Sequence, residues 1–345
     1  AYIARVKPGI RLFDRPFLRL LLPVGFIVMP VDHFFVRSAN EVMRETFASN
    51  ALRYGWIHPG EEKSGFVFLP QELGTRHVTL DLYGDEIGAN GPGLKHFSFF
   101  VNIPGINPDY RTKTLESYYA AEAVEDIADE AALKKALEKL RCCVTNRTGT
   151  RAGDPVNLVV IGTLDDLLAA FTAAKWDETE VASFRSVIKM IKAFLSGKPY
   201  EYSPFSPLFL YGRSQDIGIR KARSIHERMH LRLWYSSMRY QGRPVWVGQV
   251  SRDIGVRFTL KTWNFMTHKI DPDVDEAALY VLSDLLYQKG AEKYGVVGGG
   301  VPSAPDRPVK NLTGDPYFTS GKRMVLLLPD REKPAPEVTG KLFGS

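Results

Sequence analysis

The stretch HLRLWYSSMRYQGRPVWVGQVSRDIGVRF, residues 230–258, decides the fold of the region around it. Apolar Leu231 and Leu233 alternate with polar neighbours, which is the two-residue period of a half-buried β-strand. A Gln-Gly pair at 241–242 is a turn signal between two strand-like runs. The stretch therefore predicts three successive strand segments and, with them, a mainly antiparallel sheet.

The five residues HERMH, 226–230, have the spelling of a zinc-protease motif. In that motif both histidines lie on one helix, one turn apart, so that their rings reach the same ion. The alternation instead places His230 in a strand, and an extended chain would separate His226 from His230 by about 13 Å. We therefore interpret the spelling as chance. Another hypothesis stays open, in which His230, Asp253 and His268 converge at the end of the sheet to bind an ion or a polar ligand.

The rest of the chain mixes helical and strand-like patterns, which predicts an α+β fold of mainly antiparallel sheets with packed helices. In the first half we expect a helix over 36–56, a small sheet over 64–104 and one or two helices over 113–141. In the second half Thr163 and Asp273 are expected to cap helices, because their side chains can accept hydrogen bonds from the first free backbone N–H groups.

The polar segment NRTGTRAGDP, residues 146–155, is interpreted as a boundary between two domains. The charged, proline-rich end of the chain is expected to be mobile. The predicted organisation is a basic and apolar membrane-associating segment, an N-terminal α+β domain, a C-terminal α+β domain and a tail, over 1–35, 36–150, 151–330 and 331–345.

The start of the chain combines basic residues with an apolar run. Five cations between residues 5 and 19 precede LLLPVGFIVMPV, residues 20–31. As a helix this run would cover about 18 Å, which is too short to cross the hydrocarbon core of a bilayer. Two interpretations stay open: an interfacial anchor on anionic lipid, which we favour, or a buried segment. The expected membrane contacts are Arg11, Arg15, Arg19 and Phe26.

The net charge of +6 raises the question of an anionic partner. The sequence has no long basic block and no known nucleic-acid-binding pattern, so we do not expect nucleic acid. The glycine-rich run 295–303 lacks the lysine of a phosphate-binding loop, and 267–276 lacks the spacing of a calcium loop. We predict no cofactor and no resident metal. The adjacent Cys142 and Cys143 are interpreted as small buried residues without a disulfide.

Six segments between residues 154 and 290 resemble the LssY carboxy-terminal domain family of bacterial proteins. They are DPVNLVVIGT, AAKW, SPLFLYGRSQDI, HLRLWYS, GRPVWVGQVSRDIGVRF and THKIDPDVDE, in the expected order. The resemblance implies a bacterial, envelope-associated setting. Some members carry the domain behind multi-span membrane segments that include phosphatase-like modules. This sequence shows neither the multi-span region nor an acid-phosphatase signature, so the resemblance does not imply phosphatase activity here.

These observations favour a non-catalytic, membrane-associated bacterial envelope protein that acts as an accessory or binding subunit of a larger assembly. Its expected partners are a protein and an anionic lipid surface. The residues expected to bind are His230, Trp234, Asp253 and His268. One alternative is a metal-dependent hydrolase that uses His230, Asp253 and His268. Another is a soluble carrier of a small ligand, with Trp234 and Trp246 lining its pocket.

Overall fold

The computed structural model describes residues 24–53, 55–68, 76–84, 93–101, 110, 113–179, 206–222, 228–258, 266–330 and 340–343. The chain divides into two compact units, residues 1–72 and residues 73–345. The division after Glu72 does not coincide with the boundary that the sequence predicts at 146–155.

The first unit contains the helix α1 (Val24–Asn50) and the segment that follows it. The helix confirms the one predicted from residue 36, and it begins earlier, inside the apolar run. After the helix the chain returns, because Phe66 donates its N–H to the Asn50 carbonyl at 2.8 Å and accepts from Leu52 at 3.0 Å. The rings of Phe47 and Phe68 lie 4.6 Å apart. Among the described residues, no helix has both the length and the apolar character needed to cross a membrane.

Three α-helices lie in the part of the second unit that the structure describes, and each begins at a side chain that accepts a hydrogen bond from the first turn. They are α2 (Glu130–Glu138), α3 (Leu164–Ala173) and α4 (Val274–Tyr287), with Asp129, Thr163 and Asp273 as the N-caps. The predicted caps at Thr163 and Asp273 are confirmed. At Thr163 the cap is reciprocal, since Asp166 accepts in turn from the Thr163 N–H at 2.9 Å.

The strands of the second unit are mostly short, apart from two long neighbours that fall in the stretch with the alternating pattern. In chain order the described strands are β1 (Arg76–Gly84), β2 (Gly93–Val101), β3 (Glu125–Ile127), β4 (Cys143–Thr145), β5 (Ala152–Pro155), β6 (Leu158–Ile161), β7 (Asp177–Glu178), β8 (Phe209–Leu210), β9 (Arg213–Ser214), β10 (Ile217–Ala222), β11 (Arg228–Tyr240), β12 (Arg243–Phe258), β13 (Met266–Ile270), β14 (Lys293–Val297), β15 (Val309–Lys310), β16 (Pro316–Tyr317), β17 (Arg323–Leu327) and β18 (Gly340–Lys341).

One ten-stranded sheet organises this unit. Its order is β18-β14-β17-β6-β12-β11-β10-β7, with β13 also paired to β12 and β3 paired to β11. Most pairs are antiparallel, and three are parallel: β17 with β6, β11 with β3 and β14 with β18. The α+β class is therefore confirmed. The predicted three strand segments of 230–258 are two long strands, because β12 continues without interruption to Phe258 and its irregularity is a bulge against β13.

The core fills both faces of the large sheet because successive side chains of a strand point to opposite sides. On one face Leu231, Leu233 and Trp246 pack in the largest cluster, which also holds apolar residues of α3 and α4. On the other face Val159 and Val245 pack with α2. Beside that second cluster, Trp234 and Val247 of the large sheet pack with β4 and β8 of a four-stranded sheet ordered β5-β4-β8-β9.

The predicted helices over 113–141 are only partly present. Residues 115–117 and 121–123 form single 3-10 turns, and the α-helix begins at Glu130. Between them β3 pairs in parallel with β11, and Ile127 is buried. Helix propensity in this alanine- and glutamate-rich stretch is a weak preference, and pairing with a long strand overrides it.

The division into two domains at 146–155 is not confirmed. The segment connects β4 to its antiparallel partner β5, and β4 also pairs with β8, far beyond the proposed boundary. At the end of the chain, β18 pairs in parallel with β14 and Leu342 is buried, so residues 340–342 are part of the fold instead of a mobile tail. Cys142 and Cys143 form a disulfide between neighbours and are half-buried, which corrects the expectation of two free buried thiols.

Candidate functional site

A row of polar and charged side chains lies on the face of the large sheet opposite to α3 and α4. The register pairs His230 with Ser251, Arg232 with Gln249 and Arg228 with Asp253 across β11 and β12. On the other side of β11, Arg220 of β10 pairs with His230. Directly opposed residues of neighbouring strands point to the same side of a sheet. We call this row the charged face and define it by Arg220, Arg228, His230, Arg232, Gln249, Ser251 and Asp253.

Arg232 lies at the centre of the charged face and is only 8% exposed. Its guanidinium donates to Gln249 Oε1 at 2.9 Å and to the Ser206 carbonyl at 3.3 Å. Burial lowers the pKa of Arg232, while the nearby carboxylates of Asp154 and Asp253 act in the opposite direction. The buried cation is therefore held between two acidic groups from different strands.

Asp154, at the end of β5, connects the charged face to the loop between β15 and β16. Asn311 Nδ2 donates to Asp154 Oδ1 at 3.1 Å, and the Asn311 side-chain oxygen accepts from the N–H groups of Thr313 and Asp315. Asp315 is completely buried. Burial raises the pKa of Asp154, and the hydrogen bond from Asn311 opposes that rise. The acidic side of the site is thus built from residues more than 150 positions apart.

His230 and Asp253 lie beside each other on the charged face, as the sequence predicts. His230 Nδ1 is 3.4 Å from Asp253 Oδ2. Burial raises the pKa of Asp253 to about 7, although Arg232 and Arg228 pull it down. Because that value is close to neutral pH, the Asp253 carboxyl exchanges a proton in the physiological range, whereas an ordinary aspartate stays ionised.

The other residues expected at the site are not brought together in the same way. Backbone pairing places His268 of β13 opposite Val256, and its side chain lies outside the described residues. Trp234 shares the face of His230, but it is fully buried and its indole N–H donates to the Arg213 carbonyl at 3.3 Å. Its role in binding stays a prediction, since packing alone accounts for its position.

Trp246 lies on the opposite face of the sheet, fully buried and stacked on Tyr235 with ring centroids 3.6 Å apart. It lines no surface that would support the carrier hypothesis. His226 and Glu227 lie outside the described residues, as do Arg11, Arg15 and Arg19, and Phe26 is described only as a backbone position in α1. In the part of the chain that the structure describes, no group of three or more His, Cys, Asp or Glu side chains is placed to hold a metal ion.

Sequence reasoning missed the two buried arginines of the charged face and the two acidic residues near it, Asp154 and Asp315. The positions of Arg220 and Arg232 could have been predicted from the sequence. Each lies on the same side of its strand as His230, because side chains alternate with a period of two residues. Asp154 was part of the supposed domain boundary, and Asp315 lies in a turn-like segment. Nothing local in either stretch indicates that the fold brings them to the same site.

A second ionic cluster is accounted for by the fold. Arg213 forms a two-point ion pair with Asp216, at 3.0 and 2.9 Å, and its guanidinium lies 4.0 Å from the centre of the Tyr118 ring. It also donates to the Tyr119 hydroxyl and to the Tyr235 carbonyl. These contacts fasten the 3-10 turn before Tyr118 to β11, which is a structural role.

The sequence model of the LssY C-terminus family matches residues 134–322, which is more than half of the chain. The chain belongs to this family. The matched LssY C-terminus region runs from within α2 to the residue before β17, and it includes every member of the charged face together with Asp154 and Asp315. No curated protein and no solved structure matches the chain.

Proposed function

We propose that this protein is a non-catalytic binding subunit of the bacterial envelope, associated with a membrane through residues 1–35. The proposal places the contact with its partner at the charged face of the LssY C-terminus region. The observation that carries it is the charged face itself, where three arginines and a histidine occupy adjacent register positions of β10 and β11.

The energetic cost of this arrangement supports a binding role. Removing charges from water is expensive, and apolar residues of similar size would stabilise a sheet face at least as well. Arg220 and Arg232 are nevertheless buried on a sheet whose opposite face is almost entirely apolar. Departures from an apolar interior are expected at functional sites, where specific interactions offset the cost.

The balance of charge favours an acidic group on the partner. The arginines keep their charge at every physiological pH. Burial raises the pKa of Asp154, and Asp253, with a pKa of about 7, loses negative charge as pH falls below neutrality. The charged face therefore becomes more positive in mildly acidic conditions. A carboxylate or a phosphate presented by the partner would gain charge-assisted hydrogen bonds from Arg228 and His230, the two half-buried members of the charged face.

Deletion of residues 1–35 is expected to move the protein from the membrane fraction to the soluble fraction. The basic flank and the apolar run would supply the electrostatic and apolar contributions to lipid binding. The measurement is the share of protein in sedimented membranes. A second variant with Arg11→Glu, Arg15→Glu and Arg19→Glu tests the charge alone. Its control carries Lys134→Glu and Lys135→Glu on exposed positions of α2 and Lys139→Glu at the exposed C-cap of α2, an equal charge change. Continued sedimentation of the deletion variant would count against the anchor.

The binding subunit itself is tested by extraction in mild detergent, followed by native mass measurement and identification of the proteins that migrate with it. A discrete assembly that Arg232→Met disrupts supports the proposal. A free species of the mass of this chain alone contradicts it.

A metal-dependent hydrolase is the second candidate, and the 3.4 Å approach of His230 to Asp253 favours it. A carboxylate beside an imidazole can orient a metal ligand or a general base. On this hypothesis the purified protein binds a divalent metal stoichiometrically, and His230→Ala abolishes both metal binding and turnover. The control is His58→Ala, at an exposed position in the first unit. Equal metal affinity in the two variants would rule the hydrolase out.

A further inference from the structure

The hairpin of β1 and β2 is a separate two-stranded sheet in the second unit. Its strands have nine residues each and pair antiparallel from Arg76 opposite Val101 to Gly84 opposite Gly93. Phe100 packs against the largest core cluster, and His77 stacks on its ring at 4.6 Å. Because side chains alternate along a strand, this contact defines an inner face of the hairpin and leaves the opposite face directed away from the core.

The outward face is apolar, which reverses the usual arrangement of a surface hairpin. It carries Val78, Leu80 and Leu82 on β1 and the phenylalanines at 97 and 99 on β2. Leu80 is 37% exposed and Phe99 is 52% exposed. They are diagonal neighbours across the two strands, since Val78 pairs with Phe99 and Leu80 with Phe97. Clustered exposed apolar residues on one surface mark an interaction site.

Cationic residues occupy register positions near both ends of the β1–β2 hairpin. Arg76, Val78 and Leu80 are alternate residues of β1, so they occupy positions on the same side of the hairpin. The register places Lys95 of β2 opposite Leu82, which is a position of that same side. Five positions of β1 and their five register partners on β2 make up the outward side of the hairpin. These ten positions hold two cationic residues, two glycines, six apolar residues and no acidic residue. An apolar centre with cations at its margins complements the outer surface of an anionic bilayer, in which headgroup phosphates surround accessible acyl chains.

We propose that the outward face of the β1–β2 hairpin lies on an anionic membrane surface, as a second lipid contact besides residues 1–35. The inference rests on the membrane association proposed above and adds a named surface to it. Only side chains enter the lipid, so the backbone of the ribbon stays at the level of the headgroups, where its hydrogen-bonding groups have polar partners. At about 3.4 Å per residue the ribbon extends over roughly 30 Å of membrane surface.

Flotation of the full chain with vesicles tests the proposal. The vesicles contain equal parts of phosphatidylglycerol and phosphatidylcholine, and a parallel set contains phosphatidylcholine alone. Leu80→Asp and Phe99→Asp are each expected to weaken binding to the mixed vesicles about tenfold, because each removes an apolar contact and adds a charge that the anionic surface repels. Val309→Asp is the matched control: Val309 is 43% exposed on another strand, and this change is expected to leave binding unchanged.

The outcomes separate the hairpin from the anchor. Wild-type binding by both hairpin variants, together with loss of binding in the variant with Arg11→Glu, Arg15→Glu and Arg19→Glu, overturns the hairpin proposal and leaves the proposed function standing. Loss only in the hairpin variants supports the hairpin and rejects the anchor. Equal binding to both kinds of vesicle overturns the role of anionic lipid. Thermal unfolding checks that each variant is folded, and Phe99→Ser replaces any aspartate variant that is not, with weaker binding again expected.

Discussion

Replacing Arg323 by methionine is expected to lower the free energy of unfolding by about 3–5 kcal/mol. Arg323 opens β17 and is completely buried. Its guanidinium donates to backbone carbonyls alone, at distances from 2.8 to 3.1 Å. The six acceptors are the carbonyls of Leu137, Leu140, Arg141, Val156, Gly298 and Gly299.

The size of the effect follows from where these carbonyls lie. Leu137 and Leu140 belong to the last turn of α2 and to the residues just after it, where a helix leaves carbonyls without internal partners. Val156 precedes β6, and the two glycines follow β14. The Arg323 side chain thus donates hydrogen bonds to carbonyls at the end of α2. It also connects α2 to the segment before β6 and to the segment after β14. Methionine fills a similar volume but removes this donor from all six carbonyls, of which Leu137 still accepts from the N–H groups of Lys139 and Leu140, so the loss is the desolvation cost of the other five.

Thermal and urea unfolding measure this prediction. For a unit of this size the expected loss corresponds to a fall in Tm of roughly 10 °C. Arg323→Lys keeps the charge with at most three donors, so its stability should lie between wild type and Arg323→Met. Arg239→Met is the control, because Arg239 pairs with the exposed Glu116 and an exposed ion pair contributes little. A Tm for Arg323→Met within a degree or so of the control would show that the carbonyls find other partners.

The fold was predictable where the information is local. The hairpin of β11 and β12 follows from the alternation of residues 229–233 and from a Gln-Gly turn, and the caps of α3 and α4 follow from single side chains at their starts. The prediction was wrong between residues 113 and 127, because helical composition there competes with pairing to β11. No property of those residues alone reveals that a strand edge is available.

The buried polar groups were predictable only in part, for the same reason. His230 and Asp253 lie on one hairpin, so the strand period brings them together. In the sequence, Arg323 is recognisable only as the first residue of an apolar strand. Its six acceptors come from several separate segments, which only the fold brings together. The glycine-rich run over residues 295–303 overlaps the end of β14 and supplies two of these acceptors, the carbonyls of Gly298 and Gly299. Its function becomes visible in the structure: Gly299 adopts φ +104°, and a side chain there would collide with the Glu138 carbonyl and the Arg323 guanidinium.

Arg232→Met is expected to extend the pH dependence of stability to values above pH 7. In the wild type Arg232 lowers the pKa of Asp253, which burial has raised to about 7. Without the cation the pKa of Asp253 rises further. A carboxyl whose pKa is higher in the folded than in the unfolded state retains its proton longer when folded. Stability therefore falls as pH rises from the ordinary aspartate range to the folded pKa. In the wild type this fall ends near pH 7, and in the variant it continues above pH 7.

At pH 5 the variant and the wild type should thus have similar stability, since the Asp253 carboxyl is protonated in both folded states and methionine avoids the cost of burying a cation. At pH 8 the variant should be less stable by about 1 kcal/mol, because the two stability curves separate only above pH 7 and one pH unit changes stability by at most about 1.4 kcal/mol per titrating group. Urea unfolding at the two pH values measures the difference. Arg151→Met, at an exposed position, is the control and should follow the wild type at both.

Adding Asp253→Asn to Arg232→Met separates the electrostatic cause from lost packing. The double variant lacks the titrating group, so its stability should change much less between pH 5 and pH 8 than that of Arg232→Met. Any pH dependence of stability that remains in the double variant is attributed to Asp154. Burial also raises the pKa of Asp154, and the charge of Arg232 also lowers it. If Arg232→Met and the wild type instead lose stability in parallel, the cation does not control the protonation of Asp253. Asp253 would then titrate in the same range with and without Arg232, and the pH dependence of the charged face would come from burial of the carboxyl.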